Sequence, residues 1–215
     1  MFSYFLLLTV TAFFSYTFAS IGTRRVASAL IFHRNLFRLG RGNVWISNFR
    51  RLYKAKGVIL LTLTEVVKDA LPILLGGLLL SLKGQAEVGR AFAGFCVVMA
   101  RLWPLFNRLR GCHGCVGLAV AGLMLSPSVG IASAVVCLGV TLLSRYLTLG
   151  ALGGAAILII TSFLVVENRI AMLLLAASGG LVFFRNLLYL RKLMRGGEEK
   201  LSFREDLTYK LDEKF

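Results

Sequence analysis

Three clusters of polar residues interrupt an otherwise apolar chain. The first is Gly40-Arg41-Gly42-Asn43, followed by Ser47-Asn48 and Arg50-Arg51. Glycines let a backbone approach a ligand closely, and backbone N–H groups beside arginines form an anion-binding concavity. The second is Arg108-Leu109-Arg110-Gly111-Cys112-His113-Gly114, again basic and glycine-rich. Two such loops facing each other would clamp a phosphate by charge and backbone dipoles. Each taken alone also reads as a solvated basic turn between membrane segments. The third cluster is Glu65, Lys68 and Asp69, set within an apolar run. Spacings of three and four put them on one helix face, which Pro72 continues. Charges at membrane depth cost about 2.5–3.5 kcal/mol each on insertion scales, so they persist where they are paired inside a bundle. That face is either an ion pair fixing helix packing or one wall of a polar pocket, and the residues leave both open. The expected arrangement sets Lys68 against the two carboxylates. The unmatched carboxylate then stays protonated or finds a cytoplasmic arginine, with Arg51 and Arg110 as the candidates.

Other chemistries are poorly supplied. Cys112-His113-Gly114-Cys115 has the spacing of half a zinc site or a redox pair. A structural zinc needs four ligands, and His33 is the only other histidine. A reducing cytoplasmic face disfavours a disulfide, and the order is not the Cys-x-x-Cys-His of haem attachment. Cys96 and Cys137 fall in apolar runs and read as packing residues. No Ser/His/Asp constellation is present. The expectation is no metal and no cofactor.

The clusters must therefore be positioned by membrane helices. Of 215 residues, 57% are hydrophobic and only 16% charged, and the mean hydropathy is +0.77. A soluble domain carries about a quarter of its residues charged, so a soluble globular chain and a disordered one are both excluded. Seven apolar segments stand out: Met1–Ile21, Val58–Leu82, Ala86–Trp103, Cys115–Leu125, Ser128–Leu143, Thr148–Val166 and Ile170–Phe184. The fourth is short against the roughly 20 residues of a full span. No Lys or Arg precedes the first segment and Arg24-Arg25 follows it, which favours a retained helix over a signal peptide.

The net charge of +15 follows the same plan. With the N-terminus outside, the cytoplasmic pieces 22–57, 101–114, 144–147 and 185–215 hold 21 Lys and Arg, against only Lys83 and Arg169 outside. This predicts a bundle of seven transmembrane helices with the N-terminus outside and the C-terminus in the cytoplasm. It reads as one polytopic domain over 1–215 with a charged tail over 191–215. The basic excess is accounted for by the positive-inside bias and anionic headgroups rather than by nucleic acid, and it leaves room for an anionic substrate. A transporter would want broken helices or inverted repeats, and no repeat is evident.

Several motifs share one order and spacing. Gly40, Gly42, Asn43, Asn48 and Arg51 form the first. Glu65-Val66-Val67-Lys68-Asp69-Ala70-Leu71-Pro72 is the second. Arg101-Leu102-Trp103-Pro104-Leu105-Phe106 then leads into Arg110-Gly111-Cys112-His113-Gly114, and Arg145-Tyr146 and Gly196-Gly197-Glu198-Glu199-Lys200 follow. Together they resemble the bacterial acyl-phosphate:glycerol-3-phosphate acyltransferase family, the PlsY family, over nearly the whole chain. Its first motif reads Gly-Ser-Gly-Asn, then Ile-Gly-Ala-Thr-Asn and an Arg. Its second span begins Asp-Val-Leu-Lys-Gly-Ala-Leu-Pro. Its second loop runs His-x-Phe-Pro-Val-Phe, then Lys-Gly-Gly-Lys-Gly. This chain departs at Arg41 for Ser, Trp45 for Gly, Arg101 for His, His113 for Lys and Ala151 for Ser. Asn186 and Tyr189 stand where the family carries a His and an Asn.

The resemblance implies seven spans with the N-terminus outside, in the plasma or inner membrane, and a cytoplasmic active site. It implies transfer of a fatty acyl group from acyl phosphate to the sn-1 hydroxyl of glycerol 3-phosphate. The product, lysophosphatidic acid, enters phospholipid synthesis. The donor is already activated, so the protein positions two anions and stabilises charge. Arg51 is the expected holder of the glycerol phosphate, with Asn43, Asn48, Lys68, Gly111 and Gly114 as further substrate-binding residues. Arg41 and His113 would keep positive charge at the replaced Ser and Lys and are the catalytic candidates. The replaced positions leave a second reading: an inactive or substrate-altered relative that binds membrane lipid or a partner.

Overall fold

The structure, a computed structural model, describes residues 2–22, 46–107 and 111–194, with side chains described for 3–22, 59–106 and 111–190. Seven α-helices occur in order among the described residues: α1 (Phe2–Ser20), α2 (Ile46–Ser81), α3 (Ala86–Leu102), α4 (Cys115–Leu125), α5 (Pro127–Ser144), α6 (Leu147–Val165) and α7 (Arg169–Met194). A single 3-10 turn, Leu105–Asn107, follows α3. Each of the seven apolar segments lies in one of these helices. The chain is all-helical, and α1, α5, α6 and α7 are each long and apolar enough to cross a membrane.

Two boundaries differ from the apolar runs. Helix α2 begins at Ile46 rather than Val58, and α7 continues past Phe184 to Met194. Backbone hydrogen bonding continues where hydropathy ends, because Lys and Arg are good helix formers. With 36 residues, α2 is about 54 Å long, well beyond an apolar slab of about 30 Å. Helix α4 has 11 residues, about 17 Å, and is shorter than the usual spanning helix. Pro127 ends it and opens α5, where a missing N–H costs nothing in the first turn. The tail over 195–215 lies outside the described residues.

Helix α3 is the hub, packed against α1, α2, α4 and α7. Most of its residues are small or β-branched, and Val97, Val98, Ala93, Ala100 and Leu102 are fully buried. Small residues let the backbones close: a Cβ on Gly89 would strike the carbonyl oxygen of Gly76 in α2. Between α5 and α6 the buried Ser133 hydroxyl donates to the Gly154 carbonyl at 3.0 Å. The outside is apolar instead, with Phe5, Phe13, Leu143 and Leu164 at least 70% exposed. Close packing between small residues, with large apolar residues outward, is how helices associate in lipid.

Candidate active site

The charges of α2 are brought to the C-terminal end of α3. Asp69 is fully buried and Arg101, in the last turn of α3, is 8% exposed. The guanidinium takes Asp69 in a fork: Nε lies 2.9 Å from Oδ2 and 3.2 Å from Oδ1, and Nη2 lies 2.7 Å from Oδ2. Its Nη1 reaches Glu65 Oε1 at 3.2 Å. A planar fork with five N–H donors suits this task where an ammonium would not. Removing one member of such a buried group typically costs about 3–5 kcal/mol.

This corrects the expected pairing. Among the described residues the partner of the carboxylates is Arg101. Arg51 lies about 21 Å along α2 from Glu65, too far to pair with it; Arg110 lies outside the described residues. Among the described residues Lys68 makes no ion pair with the carboxylates. Its Nζ donates to the Ala19 carbonyl at 2.9 Å and the Ile21 carbonyl at 2.6 Å, at the C-terminal end of α1. The last carbonyls of a helix have no internal partners and carry the negative end of its dipole, so a cation serves them well.

The glycine-rich turn over 111–114 folds back onto the end of α3. Cys112 N donates to the Arg101 carbonyl at 3.1 Å. A Cβ on Gly111 would run into the carbonyl oxygens of Arg101 and Leu102. Gly114 has φ +76° and caps the start of α4, a conformation that glycine adopts without strain. A neighbouring strap comes from α1, where the Tyr16 hydroxyl donates to the Trp103 carbonyl at 2.6 Å.

His113 faces inward at 7% exposure. Its Nε2 lies 3.1 Å from Thr148 Oγ1, its ring centroid is 5.3 Å from that of Tyr189, and its carbonyl accepts from the Asn186 amide at 2.9 Å. Above Tyr189 the Arg185 guanidinium also covers the Trp103 ring, at 5.6 and 5.4 Å respectively. Asn186 and Tyr189 thus stand beside His113. Ala151 is buried in α6. Asn48 and Arg51 lie near the start of α2, with only their backbone described. Arg41 and Asn43 lie outside the described residues. Among the described residues no three His, Cys, Asp or Glu group to hold a metal. A groove of about 320 Å³ opens between α1 and α2, lined by Phe18, Leu63, Thr64, Val67, Lys68 and Leu71.

The sequence model of the glycerol-3-phosphate acyltransferase family matches residues 9–196. The chain belongs to this family. A glycerol-3-phosphate acyltransferase of Thermoanaerobacter sp. (strain X514) is 21% identical over 198 residues, covering 92% of this chain and 98% of the relative. That of Paraburkholderia phytofirmans is 28% identical over 193 residues, covering 89% and 90%. Among solved structures, the glycerol 3-phosphate form of PlsY (YgiH), an integral membrane glycerol 3-phosphate acyltransferase, matches with a TM-score of 0.72 at 22% identity. It covers 91% of this chain and 96% of that one. Its lysophosphatidic acid form matches with a TM-score of 0.73 at 22% identity, covering 90% and 94%. These likenesses establish the fold of an integral membrane acyltransferase. Within it, Arg101 is the site residue that sequence reasoning missed. Its signal was present: a cation near the end of an apolar run, in a chain whose preceding run carries two carboxylates.

Proposed function

We propose that this membrane protein transfers a fatty acyl group from acyl phosphate to the sn-1 hydroxyl of glycerol 3-phosphate, giving lysophosphatidic acid. Family membership over residues 9–196 carries the reading. The tightly folded glycine turn beside α3 supports it. The hydroxyl oxygen attacks the acyl carbonyl carbon, the bond from that carbon to the phosphate oxygen breaks, and inorganic phosphate leaves with the hydroxyl proton. The protein holds two anions in line and meets developing negative charge with N–H donors and cations.

In this reading seven helices cross the membrane, with the N-terminus outside and the site on the cytoplasmic side; the 21 to 2 charge split supports it. Arg51 and Asn48, near the start of α2, hold the glycerol phosphate with Asn43. Gly111 and Gly114 shape the turn that offers backbone N–H groups. Lys68 lines the α1–α2 groove, whose apolar wall suits an acyl chain. Arg41 and His113 supply charge. The inward-facing His113, with Nε2 on Thr148, favours a second reading in which the chemistry or the substrate has changed. An assay of purified protein with acyl phosphate and glycerol 3-phosphate decides between them. Lysophosphatidic acid and inorganic phosphate formed in equal amounts are expected. No product from protein that is folded and monodisperse would overturn the proposal in favour of the second reading.

A further inference from the structure

Arg101 does two things at once. Its side chain is gripped by α2, with Nε and Nη2 on Asp69 and Nη1 on Glu65. Its main-chain carbonyl accepts from Cys112 N at 3.1 Å and stands against Gly111, where any Cβ would collide with it. The start of α4 closes on the same pair: a Cβ on Gly117 would lie 3.1 Å from Arg101 Cγ and 3.4 Å from Asp69 Oδ2. One residue thus joins the carboxylates of α2 to the 111–114 turn and to α4. Helix α2 is also the helix that bears Asn48 and Arg51 near its start.

We infer that Arg101, gripped by Asp69 and Glu65, is the positioning residue that sets the Gly111–Gly114 turn against α2. It is not a substrate ligand, because its donors face α2 and two carboxylates already neutralise it. Two departures from the family motif, Asp69 for Gly and Arg101 for His, are therefore partners of each other. What the turn does for substrate rests on the acyltransferase reading above; the clamp itself does not.

The test uses full-length protein in detergent, with Cys112 alkylation by N-ethylmaleimide followed by peptide mass spectrometry. Cys112 is half-buried, with Sγ 3.8 Å from the Arg101 carbonyl oxygen. In Asp69→Asn and Arg101→Lys the turn should loosen and Cys112 should label about tenfold faster or more. Ser133→Ala, which cuts a tie between α5 and α6, should leave that rate within about twofold. In an active parent, the two clamp variants should lose about tenfold or more in kcat, with the KM for glycerol 3-phosphate within about threefold, because orientation is lost while the anion ligands stay. If Asp69→Asn yields no folded protein, Arg101→Lys and Gly117→Ala carry the test. Unchanged Cys112 labelling overturns the inference whatever the activity. Faster labelling with full kcat in an active parent overturns it too. A parent without acyl transfer sinks the proposed function and leaves labelling alone to decide the clamp.

Discussion

At the scale of single residues, the cations of this chain divide the work by geometry. Arg101 is held by two carboxylates and Lys68 by two carbonyls, so in the proposed function the phosphate of glycerol 3-phosphate is held first by another cation. Arg51, near the start of α2, is the cation we propose for the glycerol phosphate. In an active parent, Arg51→Ala should raise the KM for glycerol 3-phosphate roughly ten- to over a hundredfold, the equivalent of about 1.5–3 kcal/mol for a charge-assisted hydrogen bond. Steady-state kinetics at saturating acyl phosphate reads this directly, and an unchanged KM removes Arg51 from the site. Lys68 behaves differently. Lys68→Leu takes two donors from the end of α1 and should lower Tm in detergent by several degrees, following a loss of about 1.5–3 kcal/mol. Lys68→Arg should recover part of it, since a guanidinium still reaches carbonyls. An unchanged melt in Lys68→Leu would mean that the α1 contact carries no stability. The helix face of Glu65, Lys68 and Asp69 was legible from spacing alone. Their partners were not: spacing fixes which side of a helix a charge leaves from, while its partner is set by neighbours far away in sequence and by the reach of the side chain.

At the scale of elements, apolar runs located all seven helices but marked where each run leaves an apolar medium, not where its hydrogen bonding stops. That is why α3 to α6 agree with their segments within a residue or so while α2 and α7 run on into basic sequence. The glycine turn was legible as an unusual composition, and its purpose was not. Gly111 and Gly114 were read as approach points for a ligand; in the structure each is also needed by the fold. At Gly114 both constraints meet, a φ of +76° and a Cβ position 2.9 Å from Leu102 Cδ2. Gly114→Ala should therefore cost about 1–2 kcal/mol for the left-handed backbone alone, and more once Leu102 has to move. The expected result is a lower Tm together with reduced acyl transfer. Gly114→Asn should melt above Gly114→Ala, because asparagine tolerates the left-handed region better. If the two melt alike, crowding by Leu102 rather than backbone strain governs the position.

At the scale of the whole molecule, the distribution of charge and the packing of α3 make one argument about orientation. The end of α3 that carries Arg101 also carries the 111–114 turn, and the opposite end follows the exposed Lys83 and Gly84. In the proposed topology the segments on the side of the first end, 22–57, 101–114, 144–147 and 185–215, hold 21 Lys and Arg, and the loops on the other side hold two. Moving a basic segment across a bilayer is unfavourable, so the topology we propose keeps the first end in the cytoplasm. Every proposed ligand of the two anions then shares one compartment with soluble glycerol 3-phosphate. Lys83→Cys should react with a membrane-impermeant maleimide added outside intact cells, whereas Gly42→Cys should react only after the membrane is opened. The reverse pattern would place the glycine-rich turn outside. Arg101 would still clamp it to α2, since that contact owes nothing to orientation, but the turn could no longer meet a substrate made in the cytoplasm. The acyltransferase reading would then lose its site while the fold stood unchanged.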